Sequence, residues 1–441
     1  MGIVVRAAAL AAFVIAVAAR QASAQAGGKP NIVLILADDL GWGEIGANGG
    51  SIPTPHIDSL ARGGVRFTAG YVSAPVCSPT RAGLLTGRYQ QRFGHEFNPV
   101  SGDETFTLAA SERTLAERLK AAGYATGLVG KWHLGVVPGT RPTDRGFGEF
   151  FGFLSGARPY QGNPQVLGQR LFRDAAPVKL EGYLTDALAR EACGFIDRHA
   201  SHPFFLYFAP NAVHAPMEAP RRYRERFLDM EDPRRRTFAG MLAALDDAVG
   251  QILQRLRDRG LDRNTLVVFL SDNGGPTGLT TSGNGPLRGV KGQVWEGGIR
   301  VPFLMQWTGR IPAGRVFDHP VISLDLAPTA MAAAGAPIPS EQTDGVDLVP
   351  FLTGARAGPP HERLYWRYGS HRAVRSGLLK LVRIGSEKPL LFDLATDIGE
   401  QKDLSAELPA RTAELEAALD AWSAGLARPR WTPQRRSRAG F

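Results

Sequence analysis

One short segment combines a potential nucleophile with a cation. In Cys77-Ser78-Pro79-Thr80-Arg81, Pro79 suits the first turn of a helix because a proline lacks the N–H group that would have no partner there. Free N–H groups and the positive end of the helix dipole would then lie near Cys77, with Arg81 one turn further on the same side, which favours an anion. By itself, Cys77 is also compatible with a small buried residue or with half of a disulfide to Cys193, the other cysteine of the chain.

Further ionisable residues follow the segments that the sequence predicts as buried strands. Continuous apolar runs such as 31–36 and 266–270 are typical of parallel strands covered on both faces, and ligands bind beyond the carboxyl ends of such strands. The residues at these ends, or in the glycine-rich loop 285–292, are Asp38, Asp39, Lys131, His133, His214, Asp272, Asn273 and Lys291. Three carboxylates and one amide oxygen suit a hard cation, whereas the basic side chains suit a tetrahedral oxyanion.

Together these segments resemble the formylglycine-dependent sulfatases (type I sulfatases, the arylsulfatase and carbohydrate sulfatase group) of the alkaline-phosphatase-like superfamily. The resemblance extends from Asn31 to about Pro302. It is carried, in sequence order, by Asp-Asp at 38–39, Cys-x-Pro-x-Arg at 77–81, Gly-Lys-Trp-His at 130–133, His-x-Pro at 214–216, Ser-Asp-Asn-Gly at 271–274 and the loop with Lys291. The chain shows no departure from the family's catalytic set.

The resemblance implies two cofactors. In the family a maturation enzyme oxidises the cysteine to formylglycine (3-oxoalanine), whose aldehyde hydrate is the nucleophile, so this enzyme is an expected partner. A divalent cation, usually calcium, is expected to bind Asp38, Asp39, Asp272, Asn273 and the modified Cys77 side chain. Asn273 is similar to the one-metal sulfatase pattern, because related phosphatases often place a histidine there to bind a second metal.

The resemblance also implies catalytic roles. Arg81 and the cation would hold the hydrate, one oxygen of which attacks sulfur, while Lys131 and Lys291 bind the sulfate oxygens. His214, with Lys291, would assist the leaving oxygen as general acid. His133 would help to deprotonate the second hydroxyl, which then expels sulfate and restores the aldehyde. A plain hydroxyl nucleophile would instead leave a stable sulfate ester.

Helices and strands must alternate to place these residues at one edge of a sheet. Amphipathic helical patterns, of which 238–259 is the longest, separate the apolar strands. This order predicts the α/β class, with a large, mostly parallel central sheet sandwiched by helices. The alkaline-phosphatase-like resemblance implies the same fold.

The pattern changes beyond about Thr343. Short predicted strands at 364–367, 372–375, 380–383 and 390–393 are joined by turns and precede a helix at 409–426. This pattern predicts a smaller C-terminal domain with an antiparallel sheet and a terminal helix. The predicted divisions are a catalytic domain at 28–342, a C-terminal subdomain at 343–430 and a basic, solvated tail at 431–441.

The first residues are typical of an export signal. Arg6 precedes an apolar run at 7–19, and Ala22-Ser23-Ala24 is a small-residue cleavage pattern, so 1–24 is a predicted signal peptide and the protein is expected to be periplasmic or secreted. Arg20 interrupts the run, which is too short for stable membrane insertion. The formal net charge of +9 suits anionic substrates. Nucleic acid is not an expected partner because no zinc-finger spacing or basic recognition helix is present.

The substrate is predicted only as a class. Exported sulfatases of this kind often act on sulfated sugars, and the chemistry at sulfate also admits aryl sulfates, so a sulfated carbohydrate or aryl sulfate is expected. His95 and Asn98, in the polar loop 92–99, are predicted to line the substrate pocket. Two alternatives stay open: a phosphate or phosphonate monoester hydrolase on the same fold, and an exported protein that binds sulfated glycans without turnover.

Overall fold

Sixteen strands form three sheets in the computed structural model, which describes residues 28–99, 106–337 and 343–432. They are β1 (Asn31–Ala37), β2 (Val65–Phe67), β3 (Gly70–Tyr71), β4 (Ala125–Lys131), β5 (Glu149–Phe153), β6 (Leu171–Arg173), β7 (Ala176–Val178), β8 (Phe204–Ala209), β9 (Thr265–Ser271), β10 (Phe303–Gln306), β11 (Arg315–Phe317), β12 (Val321–Ile322), β13 (Arg363–Tyr368), β14 (His371–Ser376), β15 (Leu379–Ile384) and β16 (Leu390–Asp393). The predicted signal peptide lies outside the described residues.

The central sheet has ten strands in the order β11-β2-β10-β9-β1-β8-β4-β5-β6-β7. Its middle, β9-β1-β8-β4-β5, is parallel, and antiparallel strands extend it on both sides. In the register of β1 and β9, Ala37 pairs with Ser271. The residues that follow these two strands, Asp38 and Asp272, are therefore neighbours at one edge of the sheet.

Eleven α-helices pack around the sheets in the described residues. They are α1 (Pro55–Gly63), α2 (Cys77–Thr86), α3 (Leu115–Ala121), α4 (Leu184–Arg198), α5 (Arg221–Arg224), α6 (Pro233–Asp258), α7 (Thr277–Thr280), α8 (Glu296–Ile299), α9 (Leu326–Ala333), α10 (Val349–Thr353) and α11 (Pro409–Ala424). Val33 and Ile35 of β1 pack in one core with α4 and α6, whereas Ile32 and Leu34 pack in another with α2, α3 and α9, because successive strand side chains point to opposite faces. The predicted α/β sandwich is confirmed.

The longest helix, α6, begins earlier than its apolar pattern predicts. The apolar face starts at Phe238, but the helix starts at Pro233, where the Asp232 side chain caps it by accepting a hydrogen bond from the N–H of Arg234. The first turns of α6 are arginine-rich and largely solvent-facing, so they lack the apolar spacing by which the helix was predicted. In the described part of the chain, no helix has both the length and the apolarity needed to cross a membrane.

The C-terminal part of the chain contains the predicted antiparallel sheet, while its division from the rest as a subdomain stays a prediction. Strands β13 to β16 pair in sequence order, and Leu415 and Leu419 of α11 pack against Val374 and Leu381 of the sheet. Trp431, which the prediction assigned to a solvated tail, is buried, and its indole N–H donates to the carbonyl oxygen of Phe97. The start of that tail is therefore folded, while residues 433–441 lie outside the described residues.

Candidate active site

Cys77 is the first residue of α2, as Pro79 predicted. The preceding residue, Val76, is extended, and all ten residues of the helix are buried. The Cys77 thiol donates to Asp38 Oδ1 over 3.6 Å, and Lys291 Nζ donates to its sulfur over 3.3 Å. Burial, and then the charge of Asp272, raise the pKa of the thiol to about 12. Both cysteines of the chain are free, so the disulfide alternative is excluded.

Oxygen atoms converge beside this thiol. The Asp39 N–H donates to Asp272 Oδ1 over 3.2 Å, and Asn273 Nδ2 donates to Asp39 Oδ1 over 2.7 Å. Two buried oxygens, Asp39 Oδ2 and Asn273 Oδ1, accept no hydrogen bond from any described residue. One ligand atom from each of Asp38, Asp39, Cys77 and His214 lies within 4.8 Å of the others. Buried oxygens without donors fit a hard cation.

Three cationic side chains face the three carboxylates. Lys131 Nζ donates to Asp38 Oδ2 over 2.6 Å and Lys291 Nζ to Asp39 Oδ1 over 2.6 Å, while Arg81 Nη2 donates to Asp272 Oδ2 over 2.7 Å. The formal charges of these six groups therefore balance. A divalent cation among the carboxylates would leave an excess of positive charge, which suits a sulfate group.

These contacts set the protonation of the carboxyl groups. Burial raises the pKa of Asp38, but the nearby positive charges, that of Lys131 foremost, outweigh burial and hold the pKa below its ordinary value. Asp39 follows the same pattern, with Lys291 as its main partner. Burial lowers the pKa of Lys291, but the nearby negative groups, Asp39 foremost, together outweigh burial and raise the pKa of that amine well above its ordinary value. Asp38 and Asp39 are thus charged at neutral pH and available to a cation.

The two histidines are held in different ways. His214 Nδ1 lies 2.6 Å from the carbonyl oxygen of Ala215, which only accepts hydrogen bonds, so Nδ1 carries a proton and Nε2 lies 3.6 Å from Asp39 Oδ2. The backbone of His133 is left-handed, with φ 61°. A Cβ atom at Gly156 would lie 2.6 Å from the His133 ring, so this approach requires glycine. Burial and the charge of Lys131 lower the pKa of His133 well below its ordinary value, which leaves its imidazole neutral.

His95 and Asn98, predicted to line a substrate pocket, lie behind Cys77. Asn98 Oδ1 accepts the Ser78 N–H over 3.0 Å, and His95 Nε2 lies 2.7 Å from Ser78 Oγ. Ser78 Oγ also donates to the carbonyl oxygen of His133 over 2.7 Å. Because His95 has no exposed surface, it has no face open to a substrate in this structure. Both residues support the N-terminus of α2. Asn98 is partly exposed, so its place in the substrate pocket stays a prediction.

Ser78 takes part in the site although no sequence pattern predicted it. It occupies the first variable position of Cys-x-Pro-x-Arg, so the motif gave no signal for it. In the structure it joins the start of α2, the loop with His95 and the backbone of His133. Its side chain therefore fixes the nucleophile segment relative to a predicted catalytic histidine.

Replacement of His95 by glutamine is expected to make the free energy of unfolding fall less steeply as the pH is lowered. Burial lowers the pKa of His95 to about 3, so between pH 6.5 and 3 the unfolded chain binds a proton that the folded chain excludes. The stabilisation by neutral His95 is complete above pH 6.5 and falls in acid by at most about 1.4 kcal/mol per pH unit. Urea unfolding of both proteins from pH 7 to 4 measures this slope. Equal slopes would contradict the prediction.

The fold and the site define an alkaline-phosphatase-like α/β hydrolase, and comparison with known proteins supports this class. The Sulfatase family model matches residues 30–336, and the model for the C-terminal part of N-sulphoglucosamine sulphohydrolase matches residues 290–421. The chain belongs to the sulfatase family.

Individual relatives align over most of the chain. Human arylsulfatase A is 37% identical over 88% of this chain and 86% of its own length. N-acetylgalactosamine-6-sulfatase of Canis lupus familiaris is 37% identical over 80% of this chain and 71% of its own. Among solved structures, Ps i-CgsB in complex with k-i-k-neocarrahexaose superimposes with a TM-score of 0.87 at 36% identity, covering 92% of this chain and 95% of that one. These relatives support sulfate ester hydrolysis.

Proposed function

We propose that this protein is an exported sulfatase that releases inorganic sulfate from a sulfated carbohydrate, with formylglycine made from Cys77 as its nucleophile and one calcium ion as its metal. The observation that carries the proposal is the position of Cys77. Its sulfur lies at a helix N-terminus, within 4.8 Å of ligand atoms of two aspartates and a histidine. When formed, formylglycine supplies a hydrated aldehyde, a nucleophile that can be regenerated after sulfate leaves.

The proposed calcium site consists of Asp38, Asp39, Asp272, Asn273 and the modified Cys77 side chain. The two donor-free oxygens, on Asp39 and Asn273, support it because calcium prefers carboxylate and amide oxygens. The ion would supply positive charge against the developing charge of the transferred sulfate group. The three carboxylates each accept a hydrogen bond from a cationic side chain, that of Lys131, Lys291 or Arg81. In the proposal the two lysines bind the sulfate oxygens and Arg81 orients the nucleophile residue.

The histidines divide the proton transfers. His214 Nδ1 is held by the Ala215 carbonyl oxygen, so Nε2 of the protonated ring is the atom that can donate to the leaving oxygen. His133 is kept neutral by burial and by its cationic neighbours, so it can accept a proton during release of sulfate. Lys291 and His214 both contact the carboxylate of Asp39, so the positive charge of Lys291 would stabilise the leaving oxygen beside His214.

Space for a large leaving group begins beside His214. The residue after His214, Ala215, lines a groove of about 630 Å³ whose other lining residues include Met217, Arg234 and Leu279. Arg234 forms no ion pair with any described residue and donates to the carbonyl oxygens of Gly278 and Leu279. Apolar walls with one cation suit the ring of an anionic sugar. The carbohydrate named in the structure of Ps i-CgsB and the sugar sulfatase among the relatives support the same class.

Paired assays test the proposal against a phosphate or phosphonate ester hydrolase. We expect the kcat/KM for 4-nitrophenyl sulfate to exceed that for 4-nitrophenyl phosphate by on the order of 100-fold, since charge and geometry at the reacting centre set the selectivity. Protein made together with a formylglycine-generating enzyme is assayed with calcium, and released sulfate is measured directly. A preference for phosphate would replace the proposal with the rival activity. Tight binding of sulfated glycans without release of sulfate would support a non-catalytic glycan-binding protein.

A further inference from the structure

The loop that carries Lys291 contacts the C-terminal subdomain at both ends. At one end, Arg288 Nη1 donates to the backbone carbonyl oxygen of Glu400 over 2.8 Å. At the other, the Glu296 N–H donates to Glu400 Oε2 over 2.8 Å. A single residue between β16 and α11, more than 100 positions along the chain, therefore binds both ends of this segment. We call residues 288–296 the Lys291 loop.

The Lys291 loop packs closely against itself and against the two glycines that follow it. The Gly297 N–H donates to the carbonyl oxygen of Arg288 over 2.7 Å, and a Cβ atom at Gly298 would lie 1.9 Å from the carbonyl oxygen of Gln293. The guanidinium of Arg288 lies over the Trp295 ring, 3.8 Å from its centroid. Since these contacts tie the ends of the loop together, we expect a shift at either end to be transmitted to Lys291.

Glu400 is itself held by buried charges. Lys380 Nζ donates to Glu296 Oε1 over 2.9 Å and lies 2.9 Å from Glu400 Oε1 as an ion pair without hydrogen-bond geometry, and all three side chains have no exposed surface. Glu296 Oε2 accepts from Tyr71 over 2.6 Å and lies 3.2 Å from Arg300 Nη1. Charge-assisted hydrogen bonds to Glu296, together with the ion pair between Lys380 and Glu400, join the subdomain to the catalytic domain.

The backbone of Glu400 is left-handed, with φ 53°. A residue with a side chain adopts this conformation only at a cost, which the surrounding structure must offset. In this conformation both its carbonyl oxygen and its carboxylate face the Lys291 loop.

We propose that Glu400 is a positioning residue that acts through Lys291: it holds the Lys291 loop so that Nζ lies between Asp39 and Cys77. The role rests on the proposed function, because Lys291 matters to turnover only if the protein is a sulfatase. It also gives the C-terminal subdomain a part in the chemistry. Lys291 Nζ is 2.6 Å from Asp39 Oδ1 and 3.3 Å from the Cys77 sulfur, so a loop shift of about 1 Å would break both contacts.

A double-mutant cycle tests the proposal. Glu400→Ala is expected to lower kcat/KM for 4-nitrophenyl sulfate by on the order of 10-fold, and Glu400→Gln by less, because glutamine keeps an acceptor for the Glu296 N–H. In a Lys291→Ala background, Glu400→Ala should lower kcat/KM by less than about 2-fold, since effects on one coupled unit do not add. A full further loss in that background would overturn the proposal. Glu387→Gln, at an exposed carboxylate of the same subdomain, is the matched control.

The variant Arg288→Ala tests the proposal if Glu400→Ala fails to fold. Hydrogen exchange tests it without relying on activity. Arg288 is exposed, so Arg288→Ala should fold, release the other end of the loop and lower kcat/KM. Hydrogen exchange of peptides covering 285–298 should be faster in Glu400→Ala and Arg288→Ala than in the parent or in Glu387→Gln. Unchanged hydrogen exchange in both variants would overturn the proposal that Glu400 holds the Lys291 loop. If the parent releases no sulfate from 4-nitrophenyl sulfate, the proposed function fails. The hydrogen-exchange data would still show whether Glu400 holds the Lys291 loop.

Discussion

Replacement of Cys77 by serine is expected to abolish multiple turnover while the protein still folds and still gains stability from calcium. Serine is smaller than cysteine and keeps the helix start, so the fully buried α2 retains its packing. Its hydroxyl cannot be converted to the aldehyde, and a serine sulfate ester has no second hydroxyl to expel sulfate. We therefore expect at most one equivalent of sulfate transferred per protein, with the peptide containing residue 77 gaining the mass of one sulfate.

Intact-peptide mass spectrometry and calorimetry distinguish the outcomes for Cys77. The parent peptide should show conversion of the thiol to the aldehyde. The melting temperature of the variant should still rise on addition of calcium, as for any ligand that binds only the folded state. Cys193→Ser is the matched control, because Cys193 is also buried but lies in α4. Multiple turnover by Cys77→Ser at the parent's rate would rule out the formylglycine role.

Truncation of Lys131 to alanine is expected to lower kcat/KM by on the order of 100- to 1000-fold, the usual effect of removing one donor that stabilises developing charge. Lys131 Nζ lies 2.6 Å from Asp38 Oδ2, and neither side chain is exposed. Removing one partner of a buried pair normally destabilises a fold. In the presence of calcium, however, the cation and Arg81, 3.7 Å away, would still neutralise Asp38, so the melting temperature should change little.

Steady-state kinetics and thermal unfolding in calcium test this prediction together. Lys131→Arg keeps the charge and should retain more activity than Lys131→Ala, though with altered geometry. Lys120→Ala, at an exposed position of α3, should behave as the parent. If Lys131→Ala fails to fold in calcium, the role of Lys131 is structural and the sulfate-binding role loses its support.

Much of the architecture follows from local patterns. The apolar runs that became β1, β8 and β9 are continuous because both faces of these strands are covered by helices. The polar residues after them, such as Asp38 and Asp272, meet because parallel strands end at one edge. The position of Cys77 at the start of α2 followed from Pro79. In these cases the position is predicted by spacing along the chain and by the rule that parallel strands end at one edge of their sheet.

Contacts between distant loops were decided only by the tertiary structure. The loop with His95 and Asn98 has no periodic pattern, so nothing local predicts that it folds behind Cys77 rather than over it. Glu400 is one acidic residue among many in the sequence, and its role depends on a contact across 104 positions to Glu296. Periodicity predicts which face of an element is buried. It does not predict which loops meet, because their contacts depend on how whole elements pack.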